Sequence, residues 1–203
     1  MNNTERAKKI KLVITDVDGV LTDGYLNFFR APSEGKPVVI KSFYSIDGVG
    51  LMALKSSGLK TGIITGGDIG ATSTFSEITG IDYVYHGCFA KKLPLEHLSK
   101  ISGFSYEEMA FIGDDVIDLP ILKRVGLACC VSNSVKEVLD AAHYVTAAEG
   151  GKGAVREVSE LILKAQGKWD SFMNTVEDGT IGKFYPAAGK CFTYEEVLKD
   201  LNK

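Results

Sequence analysis

Asp16 and Asp18 stand either side of a single valine in the stretch LVITDVDGVLTDG (12–24), where an apolar run ends on paired carboxylates and a glycine follows. Two like charges this close repel, so the chain must supply or recruit a compensating cation. Three other segments carry groups suited to that task. Thr65-Gly66 closes the run TGIIT (61–65), Lys91 comes shortly after DYVYH (82–86), and Gly113-Asp114-Asp115 with Asp118 follows MAFIG (109–113). If these runs are neighbouring strands, the carboxylates, one hydroxyl and one ammonium converge on a single crevice at the strands' carboxyl ends. Lys91 and a divalent cation can then offset the aspartates. Oxygen-only ligands favour Mg²⁺ over zinc.

Each piece alone has a plainer reading. DxD is a common surface turn, GDDxxD a solvated acidic helix start, Thr-Gly a turn, and one lysine among many carries no signal. An EF-hand reading fails, because Val20 holds the fifth loop position and Asn27 the twelfth, where a carboxylate is required. EGGKG (149–153) lacks the spacing and the following Ser or Thr of a P-loop, and reads as a turn feeding a helix. The order of the pieces and their places on strand ends are what point to chemistry.

The elements that must position them alternate along the chain. IKLVIT (10–15), TGIIT (61–65), DYVYH (82–86), MAFIG (109–113), LACCV (127–131) and HYVT (143–146) read as strands without polar alternation, as expected when a parallel sheet is buried on both faces. Helices are predicted near 48–57, 68–79, 92–102, 116–124, 134–142 and 154–165, with a short one from 106 behind a Ser105-x-x-Glu108 capping box. The fold class is therefore α/β, a doubly wound, Rossmann-like parallel sheet with helices on both faces. YLNFF (25–29) and PVVIKSF (37–43) flank APSEGK and predict a projecting β-hairpin. Residues 1–168 form the main domain. In the tail, 169–203, KWDSFMNTVEDGTIGKFYPAAGK reads as irregular, and Thr193-x-x-Glu196 opens a short last helix. Its aromatic content predicts docking on its own domain or on a neighbouring subunit.

Composition excludes several classes. The chain has 203 residues, 45% hydrophobic and 24% charged, with a net charge of −3. That is an ordinary globular balance with no basic field for nucleic acid or an anionic membrane. No apolar run approaches the roughly 20 residues of a membrane span. MNNTERAKKIK lacks a signal peptide's apolar core, so the expectation is a cytoplasmic protein. Cys88, Cys129, Cys130 and Cys191 show no CxxC spacing and read as buried free thiols; His86, His97 and His143 are scattered and read as structural or surface residues.

DVDGVLTDG, IITG, a lysine and GDDxxD in this order resemble the haloacid dehalogenase superfamily of phosphotransferases over roughly residues 10–168. The resemblance implies that Asp16 is the nucleophile forming an aspartyl phosphate, and that Asp18 protonates the leaving alcohol and then activates water. It implies that Thr65 and Lys91 hold phosphoryl oxygens, and that Asp16, the carbonyl of Asp18 and Asp114 ligate Mg²⁺, backed by Asp118 and Asp115. No stretch between the motifs is long enough for the cap domain many relatives insert. That architecture, with SFYSIDGVG (42–50), GGKGAVRE (151–157) and LKAQGK (163–168), is similar to the capless phosphatases of 3-deoxy-D-manno-octulosonate 8-phosphate, a precursor of lipopolysaccharide sugars. The likeness implies a homotetramer built through the hairpins. It also implies a substrate site lined by Tyr44, Ser45, Ile46, Asp47 and Gly48 with Asp18, Gly66 and Lys91.

The sequence departs from those relatives at three places where they usually carry arginine: Met52, Gly67 and Phe75. Lys41, Arg30 and Lys183 are the cations available to stand in. Three further readings stay open. One is the same chemistry on a nine-carbon ulosonate phosphate or another small ester. Another is a non-catalytic oligomerisation module of this fold. The third is a receiver-type signalling domain, whose phosphoacceptor belongs on a middle strand instead of the first.

Overall fold

The structure, a computed structural model, describes residues 1–30, 38–67, 70–181 and 190–201. Among these, seven strands form one sheet in the order β8-β7-β6-β1-β4-β5-β9. They are β1 (Leu12–Thr15), β4 (Lys60–Ile64), β5 (Tyr83–His86), β6 (Met109–Gly113), β7 (Leu127–Cys130), β8 (Tyr144–Val145) and β9 (Lys190–Thr193). Every pairing in this sheet is parallel. The remaining strands, β2 (Asn27–Phe29) and β3 (Val38–Ile40), pair antiparallel as a separate ribbon, with Phe28 opposite Val39. The predicted hairpin is thus present, although APSEGK (31–36) lies outside the described residues.

Side-chain alternation along the strands feeds two cores. On one face Val13, Ile63, Ala110 and Ile112 pack under α1 (Asn3–Ala7), α2 (Ser45–Ser56), α3 (Gly70–Thr79) and α7 (Ala154–Ala165). On the other, Leu12, Ile14, Ile64 and Phe111 meet α4 (Lys92–Ser102), α5 (Leu119–Leu122) and α6 (Lys136–Ala141). Each fully buried Leu, Ile or Phe contributes about 1.5–3 kcal/mol of transfer free energy, so the sheet is a rigid platform for whatever stands on its ends. The Ser105–Glu108 capping box forms, but around a single 3-10 turn (Tyr106–Glu108). The helix predicted over 116–124 divides into a 3-10 turn, Val116–Asp118, and α5, with Pro120 in the first turn of the latter.

The tail is more ordered than its sequence indicates. Trp169–Glu177 is helical (α8), correcting the irregular reading of KWDSFMNTVE; Phe172 packs into the first core and Trp169 against it. Lys190–Thr193 adds the unforeseen β9 beside β5, and the chain ends in α9 (Tyr194–Leu201). The Thr193–Glu196 capping box is made in both directions, at 2.7 and 3.2 Å. Val197 of α9 joins the second core, and His97 bridges Tyr85 Oη at 2.9 Å and Asp200 at 3.3 Å.

Candidate active site

The carboxyl ends of β1, β4 and β6 deliver the chemistry-bearing side chains to one cleft of about 330 Å³. It is lined by Asp16, Asp18, Thr65, Gly66, Asp114 and Asp115, together with Gly24, Leu26, Gly67, Phe89 and Ile117. Asp16 continues β1, its amide donating to the carbonyl of Ile112 at 3.0 Å. Its Oδ1 accepts the Val17 amide at 2.7 Å. Gly19 turns the chain away at φ +86°, and a side chain there would run into the Asp114 carboxylate.

Lys91 holds the cluster together. Its fully buried ammonium lies 2.6 Å from Oδ2 of Asp16 and 2.6 Å from Oδ1 of Asp118. The other oxygen of Asp118 accepts the amides of Asp114 and Asp115 at 2.9 and 3.3 Å. Asp118 is therefore spent on positioning Lys91 and the β6 loop. Asp115 caps the following turn through the Val116 amide at 2.6 Å. Thr65, buried at the end of β4, accepts the Gly67 amide on Oγ1 at 3.1 Å.

The electrostatics of the cluster are unbalanced. Burial pushes the Asp16 carboxyl up to about 6, against the opposing pull of Lys91 and with Asp118 adding to the rise. Burial, reinforced by Asp16 and Asp118, pushes Asp114 up to about 7. Lys91 is also buried, yet Asp16 and Asp118 outweigh that and hold its pKa above the ordinary lysine value. A cation is still needed, and the residues fit one. Carboxylate oxygens of Asp16, Asp114 and Asp118 lie within 4.8 Å of one another, and Oδ1 of Asp114 is buried without a hydrogen-bond partner among the described residues. Asp118 is fully buried beside Lys91, whereas Asp16 and Asp114 both line the cleft and can turn a carboxylate oxygen towards a hard divalent ion there.

Not every anticipated residue comes to this cleft. Asp47 is buried at the foot of α2, where it accepts the amides of Arg156 at 2.8 Å and Gly153 at 3.2 Å, clamping the start of α7. Gly48 lies against Thr79 and Phe75. Ser45 opens α2, while Tyr44 and Ile46 are each 41% exposed. None of the five lines the cleft of the single chain, because α2 begins at Ser45 and turns Asp47 and Gly48 into its own packing. Phe75 is a core residue stacked on Phe43 at 4.3 Å, so an arginine is not simply missing from the cleft there. Sequence reasoning passed over Phe89, 70% exposed on the cleft's rim, and the pairing of Lys41 Nζ with Asp18 Oδ2 at 2.8 Å. Lys41 was named only as a stand-in cation; no local pattern identifies a partner 23 positions away. Lys183 lies outside the described residues. A larger cavity, about 590 Å³, opens at the opposite end of the strands by Ile10, Leu59 and Glu108, away from these groups.

Residues 52–157 match the family described as haloacid dehalogenase-like hydrolase. The chain is 38% identical over 164 residues to the 3-deoxy-D-manno-octulosonate 8-phosphate phosphatase of Yersinia pestis, covering 81% of this chain and 85% of that protein. Its fold superposes with a TM-score of 0.81 on a haloacid dehalogenase superfamily (subfamily III A) hydrolase from Legionella pneumophila, 40% identical, covering 87% of this chain and 94% of that one. The octulosonate phosphatase of Moraxella catarrhalis, solved with magnesium, phosphate and KDO, superposes at 0.80 with 38% identity, covering 85% and 97%.

Proposed function

The chain belongs to the haloacid dehalogenase-like hydrolases, and on that premise we propose that it is a Mg²⁺-dependent phosphatase of 3-deoxy-D-manno-octulosonate 8-phosphate acting through an aspartyl phosphate. The observation that carries the reading is the buried Lys91 bridging Asp16 and Asp118 beside the unpartnered oxygen of Asp114. Relatives named for this substrate, and a neighbour crystallised with magnesium, phosphate and KDO, support the substrate and the ion. The work belongs to lipopolysaccharide synthesis and a cytoplasmic setting. Among the described residues no helix is long and apolar enough to cross a membrane.

Asp16 and Asp114, with the backbone carbonyl of Asp18, would hold the magnesium. When bound, the ion neutralises charge on the phosphoryl oxygens and on the carboxylates around them. Asp16 attacks phosphorus while Asp18 gives its proton to the departing sugar oxygen. Lys91 keeps Asp16 aligned and, with the hydroxyl of Thr65, donates hydrogen bonds to the oxygens of the transferring group. Asp18 then takes a proton from the water that cleaves the Asp16–phosphorus bond. Asp118 and Asp115 position Lys91 and the β6 loop.

A cleft this open needs a cover, and a homotetramer supplies it. The β2–β3 ribbon exposes Phe28 at 67%, Phe29 at 54%, Val38 at 49% and Ile40 at 51%, an apolar surface its own chain leaves uncovered. Packing of these hairpins against one another buries it and brings neighbouring chains towards each cleft, where Tyr44, Ser45 and Ile46, the exposed members of the Tyr44–Gly48 segment, can meet substrate.

A second reading, turnover of a nine-carbon ulosonate phosphate or another small ester, is favoured by Gly67, which puts no arginine on the cleft wall. Phosphate release from a panel of phosphorylated ulosonates and ordinary sugar phosphates tests both. The eight-carbon acid is expected to lead in kcat/KM. A wide lead for hexose phosphates would overturn the sugar-acid assignment.

A further inference from the structure

Lys41 follows β3 directly, and its side chain, only 6% exposed, reaches Asp18 in the cleft wall. Its ammonium meets Oδ2 of Asp18 at 2.8 Å, whereas Oδ1 of the same carboxyl is buried and has no hydrogen-bond partner. The two oxygens are therefore unequal. One is committed to a lysine, and the other meets no donor among the described residues.

The wall behind this pair is the bare Cα of Gly67. A Cβ there would stand 2.9 Å from Asp18 Oδ2 and 3.0 Å from Lys41 Nζ, closer than ordinary van der Waals contact. The backbone cannot easily back away. The Gly67 amide donates to Thr65 Oγ1 at 3.1 Å, and its carbonyl accepts the Gly87 amide at 2.9 Å. Gly67 and the Lys41–Asp18 pair thus occupy one space, which an arginine stem at position 67 would have to share.

We propose that Lys41 is a positioning residue for proton transfer: by holding Oδ2 of Asp18 against Gly67 it fixes the orientation of the carboxyl that exchanges a proton with the reacting group. The inference rests on the aspartyl-phosphate reading above. In the first step the phosphorus–sugar oxygen bond breaks as the Asp16–phosphorus bond forms, and the Asp18 proton passes to the sugar oxygen. In the second the water oxygen bonds to phosphorus, the Asp16–phosphorus bond breaks, and the water's proton returns to Asp18. Both transfers need the carboxyl in the same place, and misorientation of a general acid–base forfeits part of the roughly 10²–10⁴-fold it contributes.

The test compares wild type, Lys41→Met, Lys41→Arg and Gly67→Ala, each with saturating Mg²⁺, on the octulosonate 8-phosphate and on p-nitrophenyl phosphate. The expected result for Lys41→Met is a kcat about 10-fold or more lower on the sugar phosphate, with KM within about 3-fold. On p-nitrophenyl phosphate, whose leaving group needs little protonation, it should release one equivalent of nitrophenolate rapidly and then turn over slowly, because only the second step still calls on Asp18. Lys41→Arg should recover most of the loss, and Gly67→Ala should reproduce part of it with the lysine intact. An unchanged kcat in Lys41→Met, or a loss confined to KM, overturns the proposal. So does a loss equal in both phases on the aryl ester, which is what general disruption of the site produces. Failure of the underlying reading looks different: wild type and Asp16→Asn would then release phosphate at the same rate.

Discussion

Lys91 Nζ and Asp16 Oδ2 face each other at 2.6 Å with 0% and 4% of their side chains exposed, a contact made almost wholly out of water. Removing the ammonium leaves both Asp16 and Asp118 buried without their cation. Lys91→Met is expected to lower stability by about 3–5 kcal/mol, read from urea denaturation, and to abolish phosphate release. A variant as stable as wild type would show that the aspartates are neutral in the fold and that the ion pair is not what holds them.

Asp16→Asn keeps the Val17 amide contact but cannot attack phosphorus. Phosphate release is expected to fall by about 10³-fold or more with the melting temperature preserved. Unchanged turnover would remove Asp16 as nucleophile.

The pH dependence of the metal-free protein follows from the raised carboxyls. A carboxyl shifted from 3.8 to about 6 (Asp16) or about 7 (Asp114) stabilises the fold while protonated, and that contribution is lost as pH rises through 6–7. In EDTA the melting temperature should therefore drop between pH 5 and pH 8. Mg²⁺ competes with protons for the same oxygens, so it should raise the melting temperature more at pH 8 than at pH 5. Asp114→Asn is expected to melt above wild type in EDTA at pH 8 and to respond little to Mg²⁺. A Mg²⁺ effect equal at both pH values would contradict this account of the cluster.

Asp47 separates a binding role from a structural one. Its two amide partners lie at the start of α7, and losing them leaves buried donors unsatisfied at a cost of about 1–3 kcal/mol. Asp47→Ala should unfold at lower urea with KM unchanged per folded molecule. A KM increase of about 10-fold at full occupancy of the fold would instead place this carboxylate on the substrate.

The hairpin prediction is about assembly. If the proposed homotetramer forms through the hairpins, Phe28→Asp with Phe29→Asp should give monomers in light scattering and weaken the proposed preference for the sugar acid, leaving slow p-nitrophenyl phosphate turnover. A wild-type monomer at all working concentrations would defeat the shared-cover idea.

The gathering of polar groups at the ends of β1, β4 and β6 was legible because a buried strand shows as an apolar run, and polar groups just past it can only lie on its exit edge. Lys91, Asp114 and Asp118 were legible for the same reason. The tail was not. β9 is four residues with a single aromatic, a strand only because β5 offers it an edge, and α8 mixes aromatics and β-branched residues whose helical face appears once α7 is beside it. The Lys41–Asp18 pair depends on where a hairpin returns to the sheet, which no spacing in the chain encodes. Asp47 belonged by likeness to the substrate site, but the single chain commits it to the α7 amides.

The two rims of the main sheet are finished differently. β8 is only two residues long, too short to template a foreign strand, whereas β5 is masked by β9 along four paired positions. A chain truncated before Lys190 would leave the outer amides and carbonyls of Tyr83–His86 as an adhesive strip, so C-terminal trimming is a recipe for self-association and loss of yield even with every catalytic atom intact.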